Sequence, residues 1–258
     1  LHLLSRRQRQ MCIRDRYHKK VFKVSLNGNF SCPNRDGKLS PMGCIFCSKS
    51  GSGDFAGEKQ LPIQNQFDMI VEKMQHKWPN GYYIAYFQAN TNTYDTIDNL
   101  KKRYEQIIKN GKLYNPNIKI LSIATRPDCI DEEIAKYLSS INKTIPVWIE
   151  LGFQTMHDAT INLINRGYPN TCLEKAISIL KQYHLTVIVH IINGLPNETK
   201  SHMIETVQYL NNLKIDGIKI HMLHIMKDTP LATYYKNHPF PISVSYTHLR
   251  AHETGRNL

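Results

Sequence analysis

The sequence lacks any apolar run of about 18 to 20 residues, the length that a helix needs to cross a bilayer. It also lacks an internal repeat and a low-complexity linker, so we expect a single domain. Cysteine is scarce: the chain has 6, and only Cys44 and Cys47 form a Cys-x-x-Cys pair. A zinc ribbon needs two such pairs, and a disulfide framework is typical of short secreted chains with paired spacings. These absences favour a cytoplasmic protein with reduced thiols.

Both ends of the chain differ from the rest in sequence pattern. Residues 11–16 and 245–254 resemble translated sequencing-adapter strings, and neither has the apolar period of a helix or a strand. We therefore expect that 1–16 and 243–258 lie outside the folded domain, which we place at 17–242. The two segments carry net charges of +4 and +1, so the formal charge of +12 falls to +7 for the remainder. A balance of this size is compatible with a polyanionic partner without requiring one.

Short apolar runs alternate with amphipathic segments along the remaining chain, which is the pattern of βα units around a parallel sheet. Strands are predicted at Val21–Leu26, Tyr82–Phe87, Ile118–Ala124, Val147–Phe153, Leu185–Ile192 and Gly217–Leu223. Helices are predicted at 62–78, at 95–110 with Asp95 as the cap, and at 132–141 with Asp131 as the cap. Further helices are predicted from Met156 onward, from the capping box Thr171–Glu174 to Tyr183, and at 198–213. Six such units in a row predict an α/β fold, a partial (β/α)6 TIM-type barrel.

Three cysteines follow the first predicted strand. Cys32, Cys44 and Cys47 lie in one glycine-containing loop, with Phe46 directly before the last of them. A structural zinc site normally has four protein ligands, whereas an iron–sulfur cluster held by three thiolates leaves one iron open for another ligand. Zinc completed by His18 or His76 is an alternative, and unligated cysteines are another. Three thiols in place of four favour a cluster.

The Cys-x-aromatic-Cys ending of this loop resembles that of radical S-adenosylmethionine (SAM) enzymes. The eleven residues between Cys32 and Cys44, together with the segment Cys-Pro-Asn-Arg-Asp-Gly37, are similar to the YhcC/YtqA-type branch, which is related to the Elongator catalytic subunit. The resemblance covers about 21–235. It implies a [4Fe–4S] cluster held by Cys32, Cys44 and Cys47, with SAM on its open iron. It also implies a partial barrel that is C-terminally truncated here.

Polar residues gather where the predicted strands end, which is the active-site side of parallel α/β barrels. Gln88 and Asn90 follow the second strand, where they could also cap a loop. Arg126 follows the third strand, where it could also pair with Asp128 on the surface. These positions make all three residues candidates for binding a cofactor or substrate.

Two further strands carry polar residues. Glu150 interrupts the apolar fourth strand, and a buried carboxylate needs a partner, so we expect a ligand or Arg126 beside it. Gln154 ends the same strand. His190 lies in the fifth strand, where it could equally be a core histidine with satisfied hydrogen bonds.

The resemblance assigns roles to these residues. It implies that the methionine end of SAM lies near Gln88–Asn92 and that Glu150 and Gln154 reach the ribose and methionyl groups. His190 stands where the family's Gly-x-Ile-x-Gly-x-x-Glu segment has its first glycine. The candidate cofactor-binding residues are therefore Phe46, Gln88, Asn90, Arg126, Glu150, Gln154 and His190, and no catalytic side chain is assigned.

The resemblance also suggests a substrate. The Elongator relationship implies that a 5′-deoxyadenosyl radical drives modification of the C5 side chain of wobble uridine in tRNA. Such an enzyme needs an electron donor such as flavodoxin or ferredoxin. We expect no membrane partner. A radical SAM enzyme acting on a protein or small metabolite is the alternative within the family. A non-catalytic iron–sulfur or zinc-binding module is the alternative of another class.

Overall fold

The computed structural model describes residues 17–48, 51, 56–76 and 79–242. The two end segments, 1–16 and 243–258, which the sequence excludes from the domain, lie outside the described residues. None of the helices in the described ranges is long and apolar enough to span a membrane.

Six parallel strands form one sheet, in which each strand pairs with the next of the six along the chain. All six predicted strands are confirmed, and their ends agree with the sequence to within one residue. Their bounds are Val21–Leu26 (β1), Tyr82–Phe87 (β2), Ile118–Thr125 (β5), Val147–Gln154 (β6), Thr186–Asn193 (β7) and Gly217–Met222 (β8). The sheet curls into a half-barrel, so the predicted partial (β/α)6 fold is confirmed.

Helices lie between these strands along the chain, and the last helix follows β8. They are Ile63–Gln75 (α1), Ile97–Tyr104 (α2), Glu132–Asn142 (α3), Asp158–Leu163 (α4), Asn170–Gln182 (α5), Lys200–Asn212 (α6) and Pro230–Asn237 (α7). In α3 the buried residues Ile134, Leu138 and Ile141 recur at the spacing that places apolar side chains on one helix face. Asp131 caps this helix as predicted, with its carboxylate 2.8 Å from the backbone nitrogen of Ile134.

The helix predicted from Asp95 to Asn110 is shorter than expected. Thr96 is its N-cap, and α2 ends at Tyr104. A two-stranded antiparallel hairpin follows, formed by Ile108–Lys109 (β3) and Lys112–Leu113 (β4). Asn110 and Gly111 form its turn with φ of 51° and 75°. An Asn-Gly pair adopts positive φ at low cost and favours a tight hairpin, which outweighs the helical spacing of the preceding apolar residues.

The capping box predicted at Thr171–Glu174 is wrong. The observed N-cap of α5 is Pro169, two residues before Thr171, and it makes no side-chain hydrogen bond. Glu174 instead accepts a hydrogen bond from the Tyr209 hydroxyl at 2.7 Å. A reciprocal box is present before α6, where Thr199 and His202 bond to each other's backbone nitrogens.

The two faces of the sheet differ in chemistry. The face toward the helices is apolar on every strand, with Val24, Ala85, Leu121, Ile149, Val187 and Ile218 in one core. The inner face of the half-barrel carries polar side chains halfway along the strands, namely Lys23, Tyr86, Ser122, Glu150, His190 and Lys219. The main apolar core therefore lies between sheet and helices, while the inner face carries these polar side chains beside a smaller apolar cluster of Ile84, Tyr86 and Ile120.

Candidate cofactor site and interior cluster

The three cysteines lie in the loop that follows β1. The backbone nitrogens of Arg35 and Asp36 donate to the carbonyl of Cys32, and that of Cys47 donates to the carbonyl of Cys44 at 3.0 Å. All three thiols are free. The pKa of Cys47 is raised well above its ordinary value by a hydrogen bond with Cys44, by burial and by the charges of Cys44 and Cys32. Cys44 and Cys47 are therefore within hydrogen-bonding reach of each other, and Cys32 is near enough for its charge to act on Cys47.

Cys44 is surrounded by groups that stabilise a thiolate. Its pKa is lowered to about 7, chiefly by the hydrogen bond from Cys47, with further contributions from Arg126, Asn34 and Arg166, while burial opposes the shift. Asn34 Nδ2 lies 3.5 Å from Cys44 Sγ. Metal ligation needs the thiolate form, so this environment suits a cysteine that binds iron.

The turn after α4 holds the cysteine loop in place. The backbone nitrogen of Ile45 donates to the carbonyl of Ile164 at 3.1 Å. Asn165 Nδ2 donates to the carbonyl of Gly43 at 2.7 Å, and Asn34 Nδ2 donates to the carbonyl of Asn165 at 2.6 Å. Asn34 is only 1% exposed, and no donor in the described chain contacts its Oδ1. These contacts fix the loop from its buried side.

Arg166, which the sequence did not single out, is the largest of the fully buried side chains in the described residues, at 1% exposure. Its guanidinium donates to the carbonyls of Phe153, Thr155 and Tyr168 and to Asn170 Oδ1. It also packs against the rings of Phe153 and Tyr168, at 4.9 and 4.3 Å from their centroids. Arg166 thus ties the end of β6 to the turn that supports the cysteines.

Arg126 lies beside the same site. It forms a bidentate pair with Asp128 at 2.9 and 2.8 Å and donates to the carbonyl of Arg166 at 3.0 Å. The sequence offered Arg126 as a partner of Glu150, and that expectation is wrong. The alternative pairing with Asp128 is the one observed, although both side chains are largely buried. Asp128 is only two residues from Arg126 in the sequence, so its carboxylate is close enough to pair with the guanidinium.

The segment after β2 contacts the cysteine loop. Asn90 has φ of 58° and donates to the carbonyl of Phe30 at 3.1 Å, so its predicted loop-capping role is observed. The backbone nitrogen of Thr91 donates to the carbonyl of Ser31. Gln88 accepts a hydrogen bond from Ser25 Oγ at 3.3 Å. The region that the resemblance assigns to the methionine end of SAM therefore contacts the start of the cysteine loop, directly before Cys32.

Gln154 and Phe46 lie on the other side of the loop. Gln154 has φ of 70° at an irregularity in the pairing of β6 with β7, where its side chain turns back over Gly152. Phe46 packs against a small apolar cluster that contains Leu195 and Leu223, at the ends of β7 and β8. Both residues lie at the carboxyl edge of the sheet, as the sequence predicts.

Glu150 and His190 belong to a second group of residues inside the half-barrel. We call this group the interior cluster, and it consists of Lys23, Tyr86, Ser122, Glu150, His190, Lys219 and His221. Glu150, at 1% exposure, is its centre. One carboxylate oxygen accepts hydrogen bonds from Lys23 and Ser122, both at 2.6 Å, and the other from His190 at 2.7 Å and Lys219 at 3.2 Å.

The charges of the interior cluster follow from these contacts. Burial alone would raise the pKa of Glu150, but Lys23, the hydrogen bond from His190 and Lys219 together hold it well below its ordinary value. Burial and the nearby lysine lower the pKa of His190 to about 4. Burial and His190 lower that of His221 to about 3. At neutral pH the carboxyl group of Glu150 is therefore ionised and both imidazoles are neutral.

The arrangement of possible ligand side chains distinguishes a site for a single metal ion from a site for an iron–sulfur cluster. Within the described ranges, no three His, Cys, Asp or Glu side chains surround a point where a single metal ion could bind. Neither His18 nor His76 therefore joins the cysteines in a zinc site there. In an iron–sulfur cubane each protein thiolate binds a different iron, so the sulfur atoms need not converge on one ion. Three free thiols, one with a depressed pKa, fit a cluster.

A parallel half-barrel with three thiols at the carboxyl edge of its strands defines a class of proteins that bind a cofactor at the mouth of the barrel. The family model described as the radical SAM superfamily matches residues 38–210. The chain belongs to this superfamily. Radical SAM enzymes use a [4Fe–4S] cluster and SAM, and the cofactor prediction is confirmed at that level.

Relatives place the chain within the superfamily. It is 42% identical to the uncharacterized protein YtqA of Bacillus subtilis, over 87% of this chain and 68% of that protein. It is 37% identical to protein YhcC of Escherichia coli, over 84% of this chain and 68% of that protein. A more distant relative is the tRNA uridine(34) acetyltransferase of Methanocaldococcus infernus, 26% identical over 56% of this chain and 28% of that protein. The predicted YhcC/YtqA-type branch is confirmed.

Solved structures support the fold. Elp3 of Methanocaldococcus infernus, without its N-terminus, superposes with a TM-score of 0.59 at 16% identity over 85% of this chain. The match covers 50% of the Elp3 chain, so the present chain spans about half the length of that structure. At this identity the similarity concerns the fold alone.

Proposed function

We propose that this protein is a radical SAM enzyme that modifies the C5 side chain of wobble uridine in tRNA. The observation that carries the enzymatic part is the set of three free thiols, Cys32, Cys44 and Cys47, at the carboxyl edge of the half-barrel. The tRNA part is supported by the relative whose name specifies uridine 34 of tRNA and by the fold shared with Elp3.

The three cysteines would hold the [4Fe–4S] cluster. When bound, the cluster would supply the one-electron reduction of SAM that starts the radical chemistry of this superfamily. Asn34 would donate a hydrogen bond to the Cys44 sulfur, and Arg126 and Arg166 would stabilise negative charge on it. Such contacts to cluster sulfurs help to set a reduction potential.

The residues around the thiols would bind SAM. Gln88 and Asn90 border the cysteine loop and would bind the methionyl end, with Phe46 and Arg126 at its sides. Gln154 turns inward at the end of β6. Glu150 and His190 lie deeper inside the barrel and are hydrogen-bonded to each other and to their neighbours, so they would position groups near the ribose side without contacting it directly. The enzyme would also receive its electron from a small protein such as flavodoxin or ferredoxin.

An unpaired base suits this architecture. The wobble position lies in the anticodon loop, and enzymes that act on a base take it out of its stack and into a pocket. The open inner face of the half-barrel, below the cysteine loop, would receive such a base. This geometry also admits a protein side chain or a small metabolite, which are the alternatives within the family.

Two measurements test the proposal. Anaerobically reconstituted protein should cleave SAM, and a non-catalytic iron–sulfur or zinc module would not. Mass spectrometry of tRNA nucleosides from cells with and without the full-length gene should then show loss of a C5-substituted wobble uridine on deletion. Unchanged wobble uridines beside intact SAM cleavage would reject tRNA and leave a protein or metabolite as substrate.

A further inference from the structure

A chain of hydrogen bonds leads from the buried centre of the interior cluster outward, through Glu150, His190 and His221. His190 Nε2 lies 2.7 Å from the Glu150 carboxylate, and His221 Nε2 lies 3.3 Å from His190 Nδ1. The side chain of Glu150 is 1% exposed and that of His190 is 14% exposed, while His221 is half-buried. The last imidazole of the chain is therefore the one that a ligand inside the half-barrel can reach.

His221 also lies closer to the carboxyl edge of the sheet than Glu150 does. In the strand pairing, Glu150 aligns with Ile188 on β7, and Ile188 aligns with Gly217 on β8. His221 comes four residues after Gly217 on the same strand, one residue before β8 ends. Ligands of parallel α/β barrels bind at the carboxyl edge of the strands. His221 therefore lies between the buried part of the interior cluster and the mouth of the half-barrel.

The hydrogen bonds determine which nitrogen of His221 carries the hydrogen. Glu150 is ionised and only accepts, so His190 donates through Nε2 and its Nδ1 accepts from His221 Nε2. Neutral His221 then has a lone pair on Nδ1. In the described part of the chain no group hydrogen-bonds to this nitrogen, and it is not among the polar atoms that are buried there without a partner. His221 Nδ1 is therefore an accessible acceptor that cannot donate.

An acceptor of this kind selects a ligand that presents an N–H or O–H group. On the Watson–Crick edge of uracil the donor is N3–H, whereas N3 of cytosine carries a lone pair. Enzymes that act on an unstacked base read this edge through hydrogen bonds. Cytosine in the same place would set one lone pair against another and leave both acceptors without a donor, which weakens binding by about tenfold or more.

We propose that Nδ1 of His221 accepts a hydrogen bond from N3–H of the substrate base, so that His221 selects uracil over cytosine. Glu150 and His190 are positioning residues that fix the tautomer of His221. This assignment rests on the proposed function, because it needs a uridine inside the half-barrel.

Binding of anticodon stem–loop RNA to reconstituted protein tests the base preference. Three RNAs differ only at position 34, which is uridine, cytidine or 3-methyluridine, and the last of these lacks the N3 hydrogen. The uridine RNA should bind about tenfold more tightly than either of the others. Fluorescence anisotropy at constant salt measures the three affinities.

Variants of His221 separate the acceptor from the bond to His190. His221→Gln keeps a donor toward His190 but places no acceptor at the Nδ1 position, so it should bind the uridine and cytidine RNAs equally. His221→Asn keeps an amide oxygen near that position and should retain part of the preference. His224→Gln, an exposed histidine of the segment after β8, is the matched control and should retain all of it.

Nitrogen-15 NMR of the histidine side chains tests the tautomer separately. Without RNA, His221 should be protonated on Nε2 and unprotonated on Nδ1. The uridine RNA should shift the Nδ1 resonance more than the cytidine RNA does. His190→Gln keeps a donor toward Glu150 but removes the acceptor for His221, so both tautomers of His221 should become populated and the base preference should decrease. A purely structural role of His190 would leave the tautomer unchanged.

The outcomes distinguish this inference from the proposed function. RNA binding with equal affinity for the three RNAs, or a full preference for uridine in folded His221→Gln, would overturn the inference and leave the proposed function intact. A shift of the Nδ1 resonance by SAM in the absence of RNA would also overturn it, because the acceptor would then serve the cofactor. Absence of binding to all three RNAs would reject tRNA as the substrate, and the inference with it.

Discussion

The imidazole of His190 on β7 lies 2.7 Å from the carboxylate of Glu150 on the neighbouring strand β6. An ionised carboxylate only accepts hydrogen bonds, so His190 donates through Nε2 and, being neutral, accepts through Nδ1. His221 Nε2 lies 3.3 Å from that Nδ1 and therefore donates to it. Glu150 thus determines the tautomers of both histidines along one chain of hydrogen bonds.

This arrangement makes stability depend on pH. The pKa of His190 is lowered from 6.5 to about 4, so the unfolded chain binds a proton that the folded protein excludes. Stability should be fully present above about pH 6.5 and fall as the pH decreases toward 4, by on the order of 3 kcal/mol for His190. The contribution of Glu150, whose pKa is depressed, is lost only at lower pH. Urea unfolding at a series of pH values measures the slope.

A variant measures the part of this dependence that comes from His190, since His221, whose pKa is lowered to about 3, loses stability over the same pH range. His190→Gln keeps a hydrogen-bond donor toward Glu150 and cannot titrate, so its unfolding free energy should change less between pH 6.5 and 4. His76→Gln, an exposed position at the end of α1, is the control and should retain the slope of the unmodified protein. An equal slope in His190→Gln would show that His190 does not produce this effect.

Arg166 should be the most important buried side chain for stability near the site. Arg166→Met removes the donors of several carbonyls while keeping most of the volume, and should cost about 3–5 kcal/mol, because buried partners are left unpaired. Arg166→Lys should recover part of that loss, since an ammonium cannot reproduce the planar fork. Chemical denaturation of both variants measures the difference. A loss below 1 kcal/mol in Arg166→Met would contradict the central role assigned to this residue.

The strands were predictable because each is a short apolar run bounded by turn residues, and the cysteine loop because its spacing is unusual. The interior cluster was only half predictable. The need of Glu150 for a partner is evident from the apolar strand around it, but Lys23 and Lys219 look like solvent-facing residues of alternating strands. Only the curl of the sheet brings them to Glu150, and no local pattern encodes that curl.

Arg166 was missed for a different physical reason. Most of its acceptors are backbone carbonyls, at Phe153, Thr155 and Tyr168, and carbonyls are present at every position of every sequence. No complementary side chain therefore marks the pairing. Both Asp128 and Glu150 were offered as partners of Arg126, because sequence order does not show which of two acids a guanidinium contacts; the structure has Asp128.

Each of the three cysteines should be required for iron binding. Cys32→Ala, Cys44→Ala and Cys47→Ala should each lose most of the iron of reconstituted protein and abolish SAM cleavage, because a cubane held by two thiolates is poorly retained. Melting temperatures should change little, since none of the three belongs to the main apolar core. Cys172→Ala is the control and should retain iron. Full iron content in any of the three variants would contradict the ligand assignment.

Binding of tRNA should depend steeply on salt and on lysines near the cysteine loop. Lys38 is exposed in that loop, with Nζ 5.1 Å from the centroid of the Tyr94 ring, whereas Lys214 is exposed at the opposite edge of the sheet, before β8. Each phosphate contact releases counterions, so a plot of log affinity against log salt concentration should have a negative slope. Lys38→Gln should reduce the magnitude of that slope by about one, and Lys214→Gln should leave it unchanged. Filter binding from low to moderate salt measures both, and equal slopes in the two variants would remove the cysteine-loop face from the proposed tRNA interface.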